Sequence, residues 1–199
     1  MTINIKGELI DLSKPKIMGI LNLTPDSFYD GGKYNKIESA LKQTDNMIDA
    51  GAYFIDLGAY STKPGAKPVS VEIEKKRLLP ILEKLTKTHP KTHFSIDTFR
   101  STIAAEALDR GAAMINDISG GQFDNKMMDT VGNYSVPYVL MHTYGKPESM
   151  QKNPKYKNVV KEITYYFSNQ IQAAYKAGIN DIIIDPGFGF GKTISHNYE

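Results

Sequence analysis

The run His93-Phe94-Ser95-Ile96-Asp97-Thr98-Phe99-Arg100-Ser101-Thr102-Ile103-Ala104-Ala105-Glu106-Ala107-Leu108-Asp109-Arg110-Gly111-Ala112-Ala113-Met114-Ile115-Asn116-Asp117 decides the fold. It opens with a short apolar run of strand type, His93–Ile96. A segment of helical period follows over Ser101–Arg110, closed by Gly111, a residue suited to the left-handed turn after a helix. A second apolar run, Ala113–Ile115, completes the unit. Strand, helix and strand in this order predict two parallel strands joined by a helical crossover. Each strand ends in polar groups, Asp97 in one case and Asn116 with Asp117 in the other.

The same unit repeats outward in both directions. Strand candidates lie at Ile17–Leu21, Tyr53–Leu57, Pro137–Met141 and Asp181–Ile184. Helix candidates lie at Ile37–Ala50, Val71–Thr86, Asn125–Val131 and Val159–Ala177. The strand runs are apolar on both faces, as strands covered on both sides are. Thr2–Leu12, with a turn at Lys6-Gly7, reads as an extra hairpin plugging one end. Polar residues stand at nearly every strand end: Asn22, Asp56, Asp97, Asn116, Asp117, His142 and Asp185. In a parallel β/α barrel all these ends open on one face, which carries the active site; in an open doubly wound sheet the ligand also lies there. A single such residue is as readily a turn cap, but the full set predicts convergence.

The fold class expected is therefore α/β, a (β/α)8 TIM barrel with about six of eight β/α units in 1–199, read as one domain. The remaining units are expected beyond Glu199. An open six-stranded sheet is the alternative.

Composition narrows the function. The chain has 199 residues, 41% hydrophobic and 23% charged, with net charge +2. No basic stripe suggests nucleic acid, and no apolar run approaches a membrane span. Cysteine is absent, which removes disulfides, thiolate metal sites and thiol nucleophiles. A cytoplasmic location is expected.

Asp185-Pro186-Gly187-Phe188-Gly189-Phe190-Gly191-Lys192-Thr193 invites a phosphate-loop reading, but the position five before Gly191 is Pro186, where that loop needs glycine. The glycines are expected instead to let the backbone approach a flat ligand, with a plain tight turn as the alternative. Asp97, Asn116 and Asp185 form a hydrogen-bonding set suited to a ring edge that presents an amino group beside a ring N–H and a carbonyl. Acid–base catalysis and metal binding stay open for the same residues. His89 and His93 are expected at the surface, and His142 is a weak ligand candidate. Asn22-Leu23-Thr24-Pro25-Asp26-Ser27-Phe28 and Ser61-Thr62-Lys63-Pro64-Gly65-Ala66-Lys67-Pro68 form loops at the expected catalytic end.

Taken together, these segments resemble the dihydropteroate synthase family. The resemblance rests on Ile17–Phe28, on Asp56-Leu57-Gly58 with Ser61–Ala66, on Ser95–Thr98, Ile115–Gly121, Leu140-Met141-His142 and Asp185–Thr193, in the family's order. It implies a barrel that condenses 6-hydroxymethyl-7,8-dihydropterin pyrophosphate with p-aminobenzoate, giving 7,8-dihydropteroate and pyrophosphate for folate biosynthesis. It implies pterin contacts from Asp97, Asn116, Ile118, Met141, Asp185 and Phe190, with Asp97 and Asn22 as catalytic residues. Asn22 would lie near the pyrophosphate and its Mg2+. Thr62 and Lys63 would serve the diphosphate side, and Phe28 and Pro64 would border the p-aminobenzoate pocket where sulfonamides compete. A homodimer is implied for the complete barrel. Lys63 stands where the family usually has arginine, and Tyr60 where glutamate is common. The family's closing motifs would lie beyond Glu199. A methyltetrahydrofolate-dependent methyltransferase and a non-catalytic pterin-binding fragment are the competing functional readings.

Overall fold

Lys6 and Gly7 both have positive φ, 52° and 86°, the geometry of the tight hairpin turns that match strand twist. They join β1 (Thr2–Ile5) to β2 (Glu8–Asp11) in an antiparallel pair. In this computed structural model, residues 1–24, 33–61, 68–145, 150–151 and 153–199 are described, without the side chains of 33–35.

Six parallel strands follow, β3 (Ile17–Asn22), β4 (Ala52–Gly58), β5 (His93–Asp97), β6 (Met114–Asp117), β7 (Tyr138–Met141) and β8 (Ile182–Asp185). They pair in sequence order, β3-β4-β5-β6-β7-β8. Between them run α1 (Lys33–Asp49), α2 (Val71–Thr88), α3 (Ser101–Asp109), α4 (Met127–Tyr134) and α5 (Val159–Lys176), and α6 (Ile194–Tyr198) follows β8. Sequential parallel pairing with a helix in each crossover is barrel winding; a doubly wound sheet reverses its strand order. The expected hairpin, six strands and helices are all present.

Helix starts follow their capping chemistry. Ser70 accepts from Ile73 N at 3.3 Å to start α2, and Asn158 accepts from Lys161 N at 2.8 Å to start α5, each satisfying a donor that the helix leaves open. The helix α4 begins two residues later than the periodicity of 125–131 suggests. The Asp124 carboxylate accepts from Lys126 N at 3.0 Å and Ser101 N at 2.8 Å, holding that stretch as a turn. The same helix runs on to Ser135, whose φ of 52° ends it.

Two apolar clusters result. The larger lies between strands and helices, around Ile55, Leu57, Phe94, Ile96, Ile115 and Leu140. The smaller lies inside the strand arc: Ile3, Ile5 and Ile10 of the hairpin pack on Phe54, Met114 and Val139. The hairpin thus plugs the N-terminal end, and Lys6 Nζ fastens it to Gly111 O at 2.7 Å. His93 belongs to this end as well. It is half-buried, with ring centroids 5.5 Å from Tyr53 and 6.0 Å from Phe54, and burial lowers its pKa. His89 is mostly covered too, its Nε2 2.7 Å from Asp45 Oδ1. The surface expectation for these two histidines is corrected: both lie at a helix-to-strand junction that packs against its neighbours.

Candidate active site

Strand pairing sets which side chains meet. Successive residues on a strand point to opposite faces, and paired residues share a face. Asn22 pairs with Gly58, Gly58 with Asp97, Asp97 with Asn116, and Asn116 with Val139. These form one row on the inner face. Ile20, Asp56, Ser95 and Met114 form the row below. Met141 pairs with Asp185 above. The apolar plug thus gives way to polar side chains toward the C-terminal ends of the strands.

Asp97 is the most strained group electrostatically. Among the described residues no donor hydrogen-bonds its carboxylate. Its pKa is raised well above the usual carboxylate range, first by burial and then by the nearby charges of Asp56, Asp117 and Glu74. Asp56 is 4% exposed, and burial raises its pKa also. The Asn116 amide donates from Nδ2 to Asp56 Oδ2 at 2.9 Å. Asn116 Oδ1 and Asp56 Oδ1 are buried and have no partner among the described residues. Asp185 Oδ1 accepts from Gly187 N at 2.7 Å. The inner face therefore presents acceptors that the protein does not satisfy, and buried acceptors need donors. A planar ligand with N–H groups along one edge supplies them.

Asp117 does not join this set. It follows Asn116 and so faces the helices, where it accepts from Ser119 N and Oγ at 2.7 Å each, Gly121 N at 2.8 Å and Tyr138 OH at 2.7 Å. It clamps the β6–α4 turn. The turn-cap alternative holds for this strand end, and convergence holds for Asp56, Asp97, Asn116 and Asp185.

His142 is likewise structural. Lys192, only 5% exposed, donates to His142 Nδ1 at 3.0 Å, Gly187 O at 3.0 Å and Phe190 O at 3.1 Å. The contact with Nδ1 requires the proton on Nε2. Burial, then the Lys192 charge, lowers the His142 pKa to about 4, and burial lowers Lys192 to about 8. The lysine that suggested a phosphate loop instead joins the β7 and β8 loops. The glycines serve that junction: a Cβ on Gly187 would lie 2.1 Å from His142 O, and one on Gly191 2.6 Å from Tyr144 Cβ. Their close neighbour is protein, which corrects the expectation of a ligand for these two.

A second clamp holds the loops after β4 and β5. Glu74, 1% exposed, accepts from Thr98 Oγ1 at 2.7 Å and Arg100 Nη1 at 2.5 Å, while Arg100 Nη2 donates to Val69 O at 2.6 Å. The guanidinium lies 5.3 Å from the Tyr60 ring centroid and 5.2 Å from that of Phe99. Tyr60 thus takes part in an aromatic–cation stack.

Of the other expected residues, Asn22 is exposed at the end of β3, Ile118 and Met141 are buried, and Phe190 is half-buried. Phe28, Thr62, Lys63 and Pro64 lie outside the described residues. Sequence reasoning placed Asp56 at a strand end without assigning it a role, because its contact with Asn116 spans 60 residues.

The chain matches the family of pterin binding enzymes over residues 18–199. It is 42% identical over 200 residues to dihydropteroate synthase of Escherichia coli K12, covering 100% of this chain and 70% of that protein. It superposes with a TM-score of 0.91 and 40% identity on the Yersinia pestis dihydropteroate synthase in a sulfonamide drug complex, covering 100% of this chain and 72% of that one. With the Xanthomonas albilineans dihydropteroate synthase in complex with 7,8-dihydropteroate, the TM-score is 0.84 at 34% identity, covering 100% and 70%. Matches of this extent, on a six-stranded arc of barrel topology, place the chain in the dihydropteroate synthase family of pterin binding enzymes.

Proposed function

We infer that this chain joins 6-hydroxymethyl-7,8-dihydropterin pyrophosphate to p-aminobenzoate, forming 7,8-dihydropteroate and releasing pyrophosphate in folate biosynthesis. The observation that carries the reading is the set of unsatisfied acceptors on the inner face, Asp97 and Asn116 Oδ1, with Asp185 above them. A pterin edge offers an amino group and ring N–H groups to such acceptors. Ile118, Met141 and Phe190 would flank the ring.

In the reaction the bond from the pterin methylene to the diphosphate oxygen breaks, and its electron pair leaves with pyrophosphate. The amine of p-aminobenzoate supplies the new C–N bond and gives up a proton. The chain's part is to hold the ring and stabilise charge. Asp97, ionised when ring donors reach it, lies where it would favour positive charge on the pterin. Asn22, on the same row, would face the leaving group, with Thr62 and Lys63 assigned to the diphosphate and Phe28 and Pro64 to the p-aminobenzoate side by the family motif.

Magnesium belongs to this proposal. Among the described residues no group of three or more His, Cys, Asp or Glu side chains could hold a metal ion. Asn22 offers one neutral oxygen, which fits a Mg2+ held mainly by diphosphate and water. Bound there, Mg2+ would share the charge of the leaving pyrophosphate. A cytoplasmic location and a homodimer go with the same reading.

The test is calorimetry with a pterin lacking phosphates, on this chain and its Asp97→Asn variant, beside a pyrophosphate-release assay with p-aminobenzoate. Binding that ignores the substitution, or release that does not depend on p-aminobenzoate, would overturn the reading.

A further inference from the structure

Asp56 belongs to none of the ligand contacts just described, yet it is buried on the inner face with one oxygen bonded to Asn116 and the other without a partner. A side-chain amide has opposite ends, a donor NH2 and an acceptor oxygen. Which end meets a ligand is decided by what holds the other end. Here Nδ2 is committed to Asp56 Oδ2 at 2.9 Å, and Oδ1 is left buried and unpaired.

We propose that Asp56 is a positioning residue that fixes the direction of the Asn116 amide, so that its oxygen is the atom offered to the pterin edge. The inference rests on the pterin reading above and goes beyond it by assigning a residue one row below the ligand. The row structure accounts for the reach. Asp56 pairs with Ser95 and Asn116 with Asp97, so Asp56 lies one row down and two strands across, and the carboxylate meets the amide diagonally past β5. Without Asp56 the amide is free to turn over, and its NH2 would then meet ligand donors. Ser95, directly opposite Asp56 in register, is too short to replace the carboxylate from its own strand.

A double-mutant cycle separates positioning from general support. Binding of a pterin lacking phosphates is measured by calorimetry on the whole chain, as wild type, Asp56→Ala, Asn116→Ala and the double variant. Asp56→Ala is expected to weaken binding about tenfold in the wild-type background, the size of one lost hydrogen bond. In the Asn116→Ala background it is expected to change binding less than about twofold, because the amide it acts on is gone. Asp56→Asn keeps an acceptor oxygen for Asn116 Nδ2 and is expected to retain most of the affinity. Equal weakening in both backgrounds, or no recovery in Asp56→Asn, would overturn the assignment. If thermal melts show that Asp56→Ala fails to fold, the side-chain amide of Asn116 is followed by NMR in the wild type. One slowly exchanging Nδ2 proton is expected, and free exchange of both overturns the proposal. A wild type and Asn116→Ala that bind pterin equally would instead strike at the pterin reading, and the positioning role would fall with it.

Discussion

Gly58 and Asp97 face each other in register across β4 and β5, and a Cβ at Gly58 would sit 3.0 Å from Asp97 Oδ2. The lack of a side chain at one residue sets the resting place of the other. In Gly58→Ala the carboxylate must move by a few tenths of an ångström and loses more solvent on that side. Pterin affinity is expected to fall several-fold, within the range of a weakened charged hydrogen bond, with little change in the melt. Calorimetry beside a thermal melt checks it; full affinity in Gly58→Ala would show that the position of Asp97 is not restrictive.

Asp97→Asn is expected to raise thermal stability while weakening pterin binding by about 10- to 150-fold, equivalent to roughly 1.5–3 kcal/mol. The sign follows from the raised pKa. The folded state binds the proton more tightly than the unfolded one, so this group's contribution is full below the ordinary carboxylate range and is lost as pH rises through the folded value. The variant carries no charge there and escapes the loss. A ligand-free melt at neutral pH that drops on substitution would contradict the sign.

Much of this site is legible from alternation alone. Asp97, Asn116 and Asp185 end strands whose apolar neighbours mark them as buried, and they do meet on one face. The same alternation also argues against Asp117, since adjacent strand residues face opposite ways. Asp56 is different: its partner depends on the pairing register between β4, β5 and β6, which short apolar runs do not specify. Lys192 was hidden for another reason. Its neighbour His142 lies 50 residues away, while its local sequence imitates a nucleotide loop.

The Lys192–His142 contact predicts acid sensitivity. With a folded pKa of about 4 against about 6.5 unfolded, the unfolded state binds more protons in that window, so stability falls as pH drops through it. His142→Asn removes the titration while keeping an acceptor near Lys192. Its melt is expected to decline less between pH 7 and pH 4.5 than that of the wild type, and parallel declines would count against this site.

Removing Arg100 leaves Glu74 buried without its cation. Arg100→Ala is expected to destabilise the fold by about 3–5 kcal/mol, the usual size for an orphaned buried charge. Adding Glu74→Gln should recover part of that loss. Denaturant titration of the two variants decides it: a double variant no more stable than the single would place the effect in the lost stacking on Tyr60 and Phe99.

Chelation separates binding from turnover. With EDTA present, pyrophosphate release is expected to stop, while a pterin without phosphates binds as before, because its proposed contacts are side-chain hydrogen bonds. Loss of that binding on chelation would assign the metal to the ring.

The hairpin plug has a consequence for how the chain assembles. Ile3, Ile5 and Ile10 are synthesised first, yet their packing partners Phe54, Met114 and Val139 are spread over the following chain. Contacts so distant in sequence close large loops and form slowly. The first segment to leave the ribosome must therefore wait, its isoleucines without their partners, until β4, β6 and β7 have come together. Its docking rewards all three strands at once, and makes the seating of the N-terminus a late event that seals the inner face.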